Sequence, residues 1–139
     1  MTRFVLDASV ALRWVLSNPV PAYARRVRRL MFDGARAVVP ALWHLEMANG
    51  LAVAERRGIL STPDADQALD SIELLLGQAM ETDTALVPVR QALVTARTFQ
   101  LSAYDASYLD VARHERLPLA TLDEDLRAAA ARAGVALIH

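Results

Sequence analysis

The sequence predicts an α/β fold built on a mainly parallel sheet covered on both faces. Three observations lead there: short apolar runs alternate with longer stretches of helical periodicity, no internal repeat or flexible linker breaks that alternation, and turn signals are brief pairs such as Asn18-Pro19, Asp33-Gly34 and Arg57-Gly58. With 139 residues, one domain spanning residues 1–139 with a single core is expected.

Arg3 to Leu6 is an apolar run suited to a buried strand, and Val10, Ala11 and Trp14 begin a helix just after Asp7. From Pro21 to Asp33, Tyr23, Val27, Leu30 and Met31 share one helical face and turn Arg25, Arg28 and Arg29 away from it. Ala37 to Val39 is a second strand closed by Pro40, and a helix from about Ala41 to Arg57 stops at Gly58. Along that helix Leu42, Leu45, Glu46, Asn49 and Val53 form a stripe, so an acid and an amide interrupt a face expected to be apolar. Thr62-Pro63-Asp64 supplies a cap, a first-turn proline and an acidic first turn for the next helix, which turns Leu69, Ile72, Leu76 and Ala79 inward. Ala85 to Val87 reads as a third strand followed by a helix opened by Pro88, and Ser102 opens another that ends near Arg116. Leu119 to Thr121 and Val135 to Ile138 complete five strands.

Composition narrows the chemistry. The chain has no Cys, which removes disulfides and thiolate metal sites and fits a reducing cytoplasm. All 15 basic residues are Arg, so mechanisms that require a lysine are closed. The apolar stretch from Thr2 to Leu16 is interrupted by Arg3, Asp7 and Arg13, unlike a signal peptide, and no stretch is long and uncharged enough to span a bilayer. A net charge of −1 gives no global attraction to nucleic acid, so such contact needs a local patch or a bridging metal.

Sites in open parallel sheets lie beyond the carboxyl ends of the strands. Asp7 follows the first strand directly and Asp123 comes two residues after Thr121, so both reach that rim; Glu46 interrupts its stripe, and Asp105 sits in the first turn of its helix. Four carboxylates brought together raise one another's pKa values unless a cation neutralises them, and Mg²⁺ or Mn²⁺ is the simplest such cation. A metal-bound water is a better nucleophile, which suits phosphodiester hydrolysis. Capping offers some of these acids a plainer explanation, but not Glu46, since an acid on an inward stripe is rarely left buried without a partner. Asp7 could cap the following helix, and Ser102 with Asp105 and Thr121 with Glu124 match capping boxes. Asp110 points away from Asp105 and Asp125 away from Asp123 by helical geometry; His44, His114 and His139 lack ligand-like spacing; Trp14 and Trp43 read as core or interface. The run Arg25, Arg26, Arg28 and Arg29 could meet RNA backbone or simply be a solvated face.

Four segments, Val5-Leu6-Asp7-Ala8-Ser9-Val10-Ala11-Leu12, Leu45-Glu46-Met47-Ala48-Asn49-Gly50-Leu51, Leu101-Ser102-Ala103-Tyr104-Asp105-Ala106-Ser107-Tyr108-Leu109 and Thr121-Leu122-Asp123-Glu124-Asp125-Leu126, resemble in order the acidic motifs of VapC-type PIN-domain toxins. That resemblance implies an α/β/α sandwich with a five-stranded parallel sheet whose first and fourth strands are neighbours. It implies an endoribonuclease requiring Mg²⁺ or Mn²⁺, with Asp7, Glu46, Asp105 and Asp123 as metal-site residues and Ser9, Asn49 and Thr121 supporting them. It also implies a homodimer inhibited by a VapB-like antitoxin.

Competing functions meet specific obstacles. A signalling receiver needs a phosphoacceptor Asp at the end of its third strand and a Lys opposite; a strand ending Val87-Pro88 and the absence of Lys oppose it. A haloacid-dehalogenase-like phosphatase wants a second Asp where Ser9 stands. A catalytically silent PIN-like binding module stays open, because acids show capacity for metal and not turnover.

Overall fold

The computed structural model describes residues 2–139. In chain order the elements are β1 (Arg3–Leu6), α1 (Ala8–Leu16), α2 (Ala22–Phe32), β2 (Arg36–Pro40), α3 (Leu42–Arg56), α4 (Thr62–Ala79), β3 (Met80–Asp83), α5 (Val89–Phe99), α6 (Ala103–Glu115), β4 (Leu119–Ala120) and α7 (Glu124–Arg132). The strands form one parallel sheet in the order β3-β2-β1-β4. Phe4, Val5 and Leu6 are all buried, which in a strand requires cover on both faces. Helix α6 crosses β1, β2 and β4 and contributes Tyr108, Leu109 and Ala112 to the core.

The pairing of β1 with β4 fits the expected neighbourhood of first and fourth strands, with Val5 opposite Leu119 and Leu6 opposite Ala120. The ladder continues one step, since the Asp7 amide donates to the Ala120 carbonyl at 2.9 Å. This last bond carries the chain following β1 to the chain following β4.

Two strand expectations need correction. Among the described residues the sheet has four strands: the segment Val135 to Ile138 contributes only an isolated parallel bridge, Leu119 to Leu137. The third strand is Met80–Asp83, whereas Ala85 to Val87 lies in an exposed loop. The strand escapes an apolar pattern because it is an edge: Met80 packs inward while Glu81 meets the guanidinium groups of Arg3 at 3.0 Å and Arg36 at 3.4 Å.

Helix faces shift too. The buried face of α3 is Trp43, Met47, Leu51 and Ala54, and Leu45 is 73% exposed. Apolar residues occur around most of this helix, so its stripe was ambiguous, and Glu46 lies half-buried at the border. The cap of α4 is Ser61, whose hydroxyl accepts the Asp64 amide at 3.2 Å, placing Thr62 inside the helix. That helix buries Ala65, Ile72 and Ala79, while Leu69 is exposed and Leu76 only partly covered. Both tryptophans pack as expected, but differently. The Trp14 indole donates to the Ala24 carbonyl of α2 at 2.8 Å, whereas the fully buried Trp43 indole N–H has no acceptor.

Candidate active site

The chain after β1 and the chain after β4 interlock through hydroxyls. Ser9, in the first turn of α1, donates to Asp7 Oδ2 at 2.6 Å, and Thr121 donates to the same oxygen at 2.7 Å. Each hydroxyl in turn accepts a backbone amide, from Leu122 to Ser9 and from Asp123 to Thr121, both at 3.0 Å. With one proton each, both directed at Asp7, the two hydroxyls hold that carboxylate in one orientation. Asp7 stands at the N-cap position of α1 yet makes no side-chain capping bond, so capping does not explain it. Thr121 is fully buried and does not cap α7; that cap is Asp123, whose Oδ2 accepts the Leu126 amide at 2.8 Å.

Glu46 is reached from α6: the Tyr108 hydroxyl donates to its Oε1 at 2.5 Å. Tyr108 was quoted in a motif but given no role. Its place three residues after Asp105, on the same face of one helix, was the available signal. One turn beyond Glu46, Gly50 lets α3 approach α1: a Cβ there would lie 2.5 Å from a Leu12 methyl. Ser102 caps α6 by accepting the Asp105 amide at 3.0 Å and also favours the charge of the Asp105 carboxyl, which lines the same cleft as Asp7 and Glu46.

These pieces meet in one cleft of about 310 Å³, lined by Asp7, Ser9, Glu46, Asn49, Asp105 and Asp123 together with Ala8, Leu12 and Gly50. No histidine and no cationic side chain lines it. Burial raises the carboxyls of Asp7, Glu46 and Asp105 above the ordinary range, and their neighbours add to this: Asp123 for Asp7, Asp7 and Asp105 for Glu46, Asp123 and Asp7 for Asp105. The bonds from Ser9, Thr121, Tyr108 and Ser102 oppose the shift without cancelling it. Tyr108 is itself pushed well up, first by burial and then by donation to Glu46, so it stays a donor. Asp110 points elsewhere, accepting from Thr95 of α5 at 2.9 Å in a separate cleft, and Asp125 is exposed.

The chemistry of the donor set fits a hard divalent cation: carboxylate oxygens, no sulfur, and an uncompensated negative charge. Among the described residues, no group of three or more His, Asp or Glu side chains forms a ready-made direct metal cluster. A cleft of about 310 Å³ nonetheless has room for an ion and several waters at about 30 Å³ each, the hydrated mode that Mg²⁺ favours.

The family profile for the PIN domain matches residues 4–132. The chain is a PIN domain. PIN domains are generally nucleases and typically use divalent metals. Among solved structures, the chain is similar to the crystal structure of PAE2754 from Pyrobaculum aerophilum, with TM-score 0.69 and 22% identity over 92% of this chain and 84% of that one. It is also similar to a domain of a functionally unknown protein from Methanocaldococcus jannaschii DSM 2661, with TM-score 0.60 and 16% identity over 99% and 90%. At these identities the likeness shows the fold. No curated protein is matched. No helix among the described residues is long and apolar enough to cross a membrane.

The obstacle to a receiver changes. The corrected third strand ends in Asp83, but that side chain accepts the Ala85 amide at 2.9 Å, on the far edge of the sheet from β4 and outside the acidic cleft. The missing Lys remains decisive.

Proposed function

We propose that this PIN domain is a metal-dependent endoribonuclease that hydrolyses RNA phosphodiester bonds as the toxin of a VapBC-like pair. The observation that carries this reading is the cleft where Asp7, Glu46, Asp105 and Asp123 meet with no cation in its lining. Those four residues would hold Mg²⁺ or Mn²⁺, with Ser9 and Thr121 orienting Asp7 and Asn49 offering an amide at the wall. The ion, when bound, supplies an activated water and neutralises the attacked phosphate. Tyr108 holds Glu46 Oε1 and leaves Oε2 to accept a proton, a task suited to a carboxyl raised above its ordinary range.

Two surfaces support the partners of this reading. A groove of about 360 Å³ between α1, α2 and α4, with an apolar floor including Trp14, Phe32, Ile72 and Leu75 and with Arg28, Ser71 and Gln78 also in its lining, suits an amphipathic helix of an antitoxin. Leu86, Val87, Val89, Leu93 and Val94 expose a second apolar patch suited to a homodimer. A catalytically silent PIN-like module that binds RNA or protein is the alternative, favoured by the absence of a ready-made metal cluster among the described residues.

The deciding experiment incubates purified protein with cellular RNA and sequences the new ends. Discrete ends with Mg²⁺ or Mn²⁺, lost in chelator and in Asp7→Ala, are expected; ends that persist in both conditions reject the mechanism. Expression alone should arrest growth and a small neighbouring open reading frame should relieve it, so harmless expression in the native host would remove the toxin role.

A further inference from the structure

The three polar residues beside the acids do not share one task. Ser9 and Thr121 each give their only proton to Asp7 Oδ2. Asn49 lies three residues after Glu46 on the same side of α3 and lines the same cleft. It is exposed, however, and among the described residues its carboxamide bonds to none of the four acids. Nor does it serve the helix: asparagine inside a helix is a poorer former than alanine, because its amide competes for backbone groups. Packing sets its place instead. Gly50, the next residue, brings α3 against Leu12 of α1 and so fixes the wall that carries Asn49.

Counting donors gives the amide a use. A phosphodiester brings two nonbridging oxygens, and both are acceptors. Held ionised by a bound cation, Asp7, Glu46, Asp105 and Asp123 only accept, and the Ser9 proton is already committed to Asp7. No arginine or histidine lines the cleft. Among the described residues Asn49 is therefore the one side chain in the lining with protons to give, two of them, on a neutral group that meets a phosphate without adding to the negative charge.

We propose that Asn49 binds the substrate and not the ion: its NH2 group donates to a nonbridging oxygen of the phosphodiester that meets the acids. The assignment rests on the nuclease reading and deepens it, dividing the wall of the cleft into hydroxyls that set a carboxylate and an amide that seats the phosphate.

The test separates the ion from the anion. Thermal melts of the full chain are recorded without additions, with Mg²⁺, and with Mg²⁺ plus inorganic phosphate, for wild type, Asn49→Ala and Asn49→Asp, and cleavage of cellular RNA is measured alongside. Wild type should gain from Mg²⁺ and gain again from phosphate. Asn49→Ala should melt no lower than wild type without additions, keep the Mg²⁺ gain and lose most of the phosphate gain. Its cleavage should fall at least about tenfold, as expected when a hydrogen bond to a charged group is removed. Asn49→Asp keeps the shape, adds an oxygen ligand and removes the donor, so its Mg²⁺ gain should equal or exceed that of wild type while the phosphate gain disappears and cleavage falls further. A role on the metal predicts the opposite. Loss of the Mg²⁺ gain in Asn49→Ala, or full cleavage by Asn49→Asp, overturns the proposal. So does an Asn49→Ala protein that keeps both the phosphate gain and wild-type cleavage, an outcome that leaves the nuclease reading intact. A wild type that melts alike with and without Mg²⁺ and cleaves nothing rejects the nuclease reading itself, and the role of Asn49 falls with it.

Discussion

Asp7 and Asp110 make an informative pair. Each is a carboxyl raised by burial and each accepts a threonine hydroxyl, Thr121 at 2.7 Å and Thr95 at 2.9 Å. Their neighbours differ. Asp110 has the Arg113 guanidinium close enough to favour its charge, whereas Asp7 has Asp123. Between α5 and α6 a single buried carboxyl, its Oδ2 without a partner, has one cation nearby, whereas at the carboxyl ends of β1 and β4 several carboxyls gather with none, so the second place has the stronger call for an added cation.

The largest expected effect tests that contrast directly. Glu46→Gln or Asp7→Asn should lower RNA cleavage more than about a hundredfold, since stabilisation of the attacked phosphate by a bound ion is worth several kcal/mol and each 1.36 kcal/mol is tenfold. Asp110→Asn should cleave at close to the wild-type rate. Equal losses in all three would erase the distinction.

Metal binding sharpens it next. Mg²⁺ or Mn²⁺ should raise the melting temperature of wild type and of Asp110→Asn, by the equivalent of about 2.7 kcal/mol at a hundredfold excess over Kd. The shift should vanish in Asp105→Asn; a wild-type melt indifferent to both ions would contradict the proposed site.

Acidity gives a smaller effect. Folded-state carboxyl values above the unfolded ones mean that Asp7, Glu46 and Asp105 stabilise the metal-free protein below their unfolded values and lose that contribution as pH rises through the folded values. At neutral pH without metal, Asp105→Asn should therefore melt higher than wild type, and the gain should disappear in acid. A gain of the same size at both pH values would point to some cause other than charge. Smallest is Tyr108→Phe, expected to cost about 1–2 kcal/mol of stability and to reduce cleavage only partly, because Glu46 keeps its position on α3. Complete loss of cleavage in that variant would make Tyr108 part of the chemistry.

The sequence made β1 and β2 readable because central strands of a covered sheet are plain apolar runs, and β4 because, although at the edge, it is fully buried and bridged by Leu137; the ends of β1 and β4 in turn placed Asp7 and Asp123 at the rim. It hid β3, whose Glu81 is taken up by two arginines across the sheet edge, a relation between distant residues that no local pattern records. The expectation for Glu46 rested on a stripe that is not the buried one. The residue is nonetheless half-buried, at the border of the true face and beneath Tyr108. Thr121 was weighed as a cap, and its burial against Asp7 follows from β1 pairing with β4, a tertiary fact.

The unmet indole donor of Trp43 has a practical consequence. Replacing it with Phe discards a polar group that has no acceptor in the core, which offsets part of the lost packing. The chain would then hold a single indole, Trp14, bonded to the backbone of the very helix that bears the four arginines. Its emission would become a built-in optical gauge, able to follow in real time whether anything settles on α2.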